Sequence, residues 1–220
     1  MSTTAQVEKL IAPLLRKRRG LGFARRKIFF RPIRHILSAV SLDGGNDPAI
    51  VAVGTVVVPI FQRDHLHANW GWPVSRPDGW VYRLDQSDAQ DLLIHALEFE
   101  VLPRLATIQD IPEFEQYIAA HVNSHRYDVP RRVITAAARG DLELALQFSR
   151  DLRAKGHLDG PGGDAESTRS IARRRTLCDL IEADDRAGII ALLHQWEAAT
   201  AADWGLAQFW QPSPFPIEQM

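Results

Sequence analysis

The stretch from Ile11 to Arg34, IAPLLRKRRGLGFARRKIFFRPIR, constrains this chain more than any other. An apolar helical pattern runs into a dense basic block, breaks at a Gly-Phe pair and resumes as a strand. Val7, Leu10, Ile11, Leu14 and Leu15 recur at helical spacing. That gives an apolar stripe about 100° wide and predicts a first helix over Thr4 to Arg18. Pro13 lies inside the pattern and predicts a kink or a later start. Gly20 and Gly22 end the helix.

Strands are predicted at Lys27 to Arg31, Arg34 to Leu42, Ile50 to Phe61 and Trp80 to Leu84. The third is Val-rich with few charges, so it is expected to be central or covered on both faces. Gly54 within it predicts a bulge or a close backbone approach. Gln62 to Asp78 carries Trp70, Trp72, Pro73 and Pro77 and is expected to be a long loop or an irregular hairpin. Ser87 opens SDAQ, a capping-box pattern in which Gln90 reaches back to the helix start. The helix it starts runs to about Leu102, before Pro103, with Leu92, Leu93, Ala96 and Leu97 toward the core. A shorter helix is expected at Glu113 to Asn123.

From Pro130 the pattern is purely helical, with segments at Arg131 to Arg139, Leu142 to Lys155, Arg169 to Ala183 and Ala187 to Ala199. Ala136 to Phe148 echoes Ile181 to Leu193: both place a polar turn before an apolar helix. Four glycines and a proline mark residues 156–167 as a flexible loop. The three prolines of WQPSPFPIEQM predict an extended arm. The expected architecture is therefore α+β. A small, mainly antiparallel sheet with flanking helices occupies residues 1–125, and an all-helical region packed on it occupies residues 126–220.

Charge excludes some functions and suggests others. The net charge is -1, so there is no global pull toward nucleic acid or membrane. Its placement is uneven. Met1 to Ile36 holds ten Lys or Arg against one acid, while Asp85 to Glu115 holds eight acids against one Arg. Either these segments face each other or lie solvated, or one is free to dock an oppositely charged partner. The single cysteine, Cys178, excludes an internal disulfide and reads as a small core residue. With no secretory pattern at the start and no apolar run long enough for a membrane helix, a cytoplasmic protein is expected.

Catalytic patterns are incomplete. His65 and His67 share a face if on a strand, and His121 and His125 (HVNSH) share a helix face. Together they define an alternative reading, a metal-dependent hydrolase. The HVNSH segment lacks the glutamate base of that pattern, and no further ligand is spaced near either pair, so no metal or cofactor is expected. The basic segment 16–34, with Phe23, Phe29 and Phe30, defines a second alternative, a nucleic-acid module. A charged helix end and edge strand account for it more simply.

The helix VEKLIAPLLRKR, the segment LGFARRKIFFR, the alternating strands and ALEFEVLPRLATIQDIPEFEQYI together resemble the bacterial domain-of-unknown-function family 4304. The resemblance runs from about Val7 to Ile118 on Gly22-Phe23, Phe29-Phe30 and Leu102-Pro103, which are structural positions. Some members are similar to immunity proteins encoded beside toxins, so the resemblance implies toxin binding by association. The expected function is a non-catalytic binding protein whose partner is a protein, such as a cationic toxin. Trp70, Trp72, Trp80, Asp88, Asp91 and Glu98 are the expected contact residues.

Overall fold

The computed structural model describes residues 3–44, 46–62, 71–74, 81–121, 129–159 and 163–220. They form a five-stranded sheet and a set of helices, divided into two compact units. One unit comprises Met1–Pro59, His67–Phe114 and Ala201–Gln211. The other comprises Ile60–Leu66, Glu115–Thr200 and Pro212–Met220.

The first unit opens with α1 (Thr4–Lys17), whose start is a true capping box. The Thr3 hydroxyl accepts from the Gln6 amide at 3.2 Å, and the Gln6 side chain accepts from the Thr3 amide at 2.7 Å. Val7, Leu10, Ile11 and Leu14 are its buried stripe. Strands β1 (Leu21–Ala24), β2 (Lys27–Phe30), β3 (Ile36–Gly44), β4 (Ile50–Pro59) and β5 (Val81–Arg83) follow as an antiparallel meander in chain order.

Strand β1 is not among the sequence expectations. It closes on β2 through a two-residue turn, Arg25-Arg26, with φ of 47° and 61°. Positive φ at both central residues is the type I′ requirement, normally met by Asn-Gly. Gly22 is needed because a Cβ there would lie 2.5 Å from the Phe29 ring. Strand β4 is interior, between β3 and β5, and is covered on both faces over its second half, while β3 is buried continuously from Ile36 to Leu42. Strand β4 alternates up to Gly54 and is buried only from Thr55. The close approach expected at Gly54 belongs to Gly71, where a Cβ would stand 1.8 Å from the Thr55 carbonyl oxygen. A late segment completes this unit: the Ile33 amide donates to the Phe209 carbonyl at 2.8 Å, and Phe29 meets Phe209 edge-on at 5.0 Å.

Helix α2 (Ala89–Ala96) starts after Asp88, which caps nothing with its side chain. The expected capping box is absent because Gln90 turns to α1 instead, donating to the Leu10 carbonyl at 2.7 Å. The helix does not stop before Pro103. It passes through a π-turn (Leu97–Val101) into α3 (Leu102–Leu105). The Leu102 amide bonds back to Leu97, and Pro103, which has no amide hydrogen, enters where a regular bond has already been skipped. Helix α4 is Ile111–His121.

In the second unit, α5 (Val129–Arg139) and α6 (Leu142–Ala154) form one hairpin, while α7 (Ala165–Glu182) and α8 (Arg186–Asp203) follow. The sequence echo has a structural counterpart. Gly140 and Asp184 both take positive φ, and Asp141 and Asp185 then cap α6 and α8, accepting from the Leu144 and Gly188 amides. Arg139 bridges Glu115 at 2.9 Å and Asp141 at 2.7 Å. Arg153 holds α6 to α7 through Asp179 and Glu182.

Two loop expectations are corrected. Leu158 is buried, and α7 begins at Ala165 under the Asp164 cap, inside the segment expected to be a flexible loop. The C-terminal residues are not an extended arm. Phe215 and Ile217 are fully buried, and Phe215 packs edge-on against Phe61 at 5.5 Å.

Candidate functional site

The sequence pattern that builds the site is a strict four-residue spacing: Ala89, Leu93, Leu97, Val101 and Leu105 are all buried. In an α-helix each step of four overshoots one turn by about 40°, so four steps would carry Leu105 about 160° off the inward face. The π-turn absorbs most of that drift by adding a residue. Two large apolar side chains emerge along this stretch: Phe99, in the π-turn, with 65% of its surface exposed, and Leu92, expected from the sequence to face the core, with 41%. Phe99 packs against the His95 ring in a tilted arrangement, with centroids 4.7 Å apart. Leu92, His95, Phe99 and Pro103 form an exposed ridge flanked by Asp88, Asp91 and Glu100.

One end of the ridge meets an expected contact residue. The Arg104 guanidinium lies 3.9 Å over the Trp72 ring, a cation–π contact. Trp72 is half-buried, and its backbone is pinned to β4. Its carbonyl accepts from the Thr55 amide at 2.8 Å, and its amide donates to the Thr55 hydroxyl at 2.6 Å. Asp88 and Asp91 are exposed as expected. Trp70 and Trp80 lie outside the described residues.

Glu98 is not on the exposed face. Only 6% of its side chain is exposed, and the Lys17 ammonium donates to its Oε2 at 2.8 Å. That hydrogen bond holds the Glu98 carboxyl below the usual carboxylate range, against the opposing effect of burial. Its Oε1 accepts no hydrogen bond; the Arg18 Nε stands 3.7 Å away, in ion-pair range only. At this point the basic and acidic segments do face each other.

A groove of about 560 Å³ opens beside this pair. Lys17, Arg18 and Arg19 at the end of α1 form one lip. Leu21, Phe30, Leu102, Pro103 and Ala106 form the apolar floor and far wall, and the Glu98 carboxylate lines the groove beside Lys17. Among the described residues, neither the Arg18 nor the Arg19 side chain makes a hydrogen bond.

The histidine reading is not assembled by the described residues. His65, His67 and His125 lie outside them. The His121 ring stacks on Tyr117 at 5.0 Å and its Nδ1 lies 3.1 Å from the Tyr117 carbonyl oxygen. No group of three potential metal ligands converges among the described residues, and no helix among them is long and apolar enough to cross a membrane. Cys178 is buried, and burial pushes its thiol up, away from a reactive thiolate.

No family model, curated protein or solved structure matches this chain.

Proposed function

We propose that this protein acts by binding a cationic protein partner through the ridge on α2 and the π-turn. The observation that carries the reading is Phe99. A phenylalanine two-thirds exposed, on a helix that also exposes Leu92 and carries exposed Asp88, Asp91 and Glu100, has the composition of a contact surface. The carboxylates steer a basic surface, and the rings anchor it once docked. Trp72 extends the surface through Arg104, while Glu98 holds the π-turn from behind rather than touching the partner. Such a protein works by covering the partner's own site, as an immunity protein covers a toxin. The resemblance to family 4304 supports that class of partner by association.

The test is capture from the source cells with the parent chain and two variants as bait. A cationic protein retained by the parent should be lost with Phe99→Asp. With Asp91→Lys combined with Glu100→Lys it should associate more slowly, at unchanged melting temperature. A partner retained equally by all three baits moves the interface away from this helix.

A further inference from the structure

We propose that the groove beside the π-turn is a binding site for a small amphipathic anion, with a carboxylate or phosphate head and an aliphatic body. This goes beyond the protein-binding ridge and does not depend on it.

The head-group argument is one of charge. Among the described residues Lys17 hydrogen-bonds Glu98 at 2.8 Å and Arg18 pairs with it at 3.7 Å, so with Arg19 this end of the groove holds three cations against the one carboxylate that lines it. The Arg31 guanidinium, bonded to the Arg19 carbonyl, adds to the field at the same end. The guanidinium fork matches a planar carboxylate or a phosphate. Arg18 sits 3.7 Å from a carboxylate oxygen that accepts no hydrogen bond, so turning it to a ligand breaks no hydrogen bond.

The body of the ligand follows from the floor. Leu21 and Leu102 are buried side chains whose edges line the opening, with Phe30 and Pro103 beside them. The volume, about 560 Å³, falls in the range of small-molecule sites. A nucleotide fits less well: the floor offers one aromatic ring among aliphatic groups, and base recognition relies on stacking platforms.

Decanoate is the probe. Calorimetry should show saturable one-site binding with Kd on the order of 10–100 μM. Acetate, which has the head alone, should bind at least tenfold more weakly, as should decyltrimethylammonium, which has the tail with the opposite charge. Amide chemical-shift changes should fall on residues 17–21 and 98–106. Arg18→Gln with Arg19→Gln should weaken decanoate binding at least tenfold. Ala106→Trp, a substitution at an exposed lining residue, should fill the groove and abolish binding without lowering the melting temperature. Absence of saturable decanoate binding overturns the proposal. So does binding unchanged in both variants, or tighter binding of adenosine monophosphate than of decanoate.

Discussion

Gln90 gives the Lys9 carbonyl the hydrogen bond that Pro13 withholds. In α1 the Lys9 oxygen would accept from the amide of residue 13, but proline has none. The Gln90 Nε2 crosses from α2 and donates to the Lys9 oxygen at 3.3 Å and to the Leu10 oxygen at 2.7 Å. A proline that disrupts one helix thereby becomes the docking point for another. Gln90→Ala should cost about 1 kcal/mol in the parent chain. In a Pro13→Ala background, where the helix supplies its own donor, the same change should cost less than half of that. Urea denaturation of the four chains measures the coupling. Equal costs in both backgrounds would show that Gln90 acts through Leu10 alone.

Glu98 sets a pH dependence. Its folded carboxyl titrates below its unfolded value, chiefly because Lys17 donates to it. The folded state therefore binds fewer protons, and the stability from this pair is complete above the unfolded value of about 4.3. It drains as pH falls through the lower, folded value. Glu98→Gln should flatten the acid limb of the stability curve. The decline that remains belongs to carboxyls lowered in the same way, Asp85 beside Arg83 and Glu166 beside Arg169 and Arg173. Superimposable acid limbs for parent and variant, followed by thermal melts from pH 7 to pH 3, would remove Glu98 from the account.

Local periodicity was enough to place α1 within one residue at its end and to find β2 through β5, since each has a clear apolar rhythm. What escaped it has a physical cause in each case. Strand β1 hid behind Gly20 and Gly22, which read as helix terminators, and its turn carries Arg-Arg in place of a turn signal. The ridge was concealed because Leu92 reads as core-facing beside Leu93, Ala96 and Leu97, and Phe99 carries no outward signal of its own. The strict spacing from Ala89 to Leu105 was the clue to the extra residue. Opposite charge on two segments is visible in sequence, but the pairing of Lys17 with Glu98 depends on where α1 and the π-turn meet. Prolines in the C-terminal segment report extended backbone, and extended backbone can still be buried.

Arg25 is strained where it stands. A non-glycine residue with positive φ costs about 1–2 kcal/mol, and asparagine tolerates that region better than arginine. Its neighbour Arg26 recovers something through a hydrogen bond from its Nε to the Leu42 carbonyl at 2.6 Å. The exposed Arg25 side chain lies instead along Gly205, whose added Cβ would fall 2.8 Å from the Arg25 Nε. Arg25→Asn should raise stability by about 0.5–1 kcal/mol, in keeping with the preferences of a type I′ turn. The midpoint of urea unfolding reads the gain directly. No gain, or a loss, would mean that the contact with residue 205 outweighs the turn strain.

The C-terminal segment should behave as core. Two interactions hold it within the second unit. The Phe215 ring is fully buried against Phe61 and the His194 ring, at 5.5 Å and 4.9 Å. Glu218 accepts from the Phe215 amide at 2.7 Å and meets the His194 Nε2 at 2.8 Å. They differ in kind. A buried phenylalanine truncated to alanine leaves a cavity and loses about 3–5 kcal/mol. A partly exposed polar contact of this kind is worth at most about 1 kcal/mol. Phe215→Ala should therefore destabilise the chain several-fold more than Glu218→Gln, with amide hydrogen exchange accelerating at α5, at Ile60–Gln62 and at the facing turn of α8. If instead the Glu218 variant cost as much as the Phe215 variant, the polar clasp would be the dominant tie. If neither mattered, residues 212–220 would be an appendage and not part of the fold.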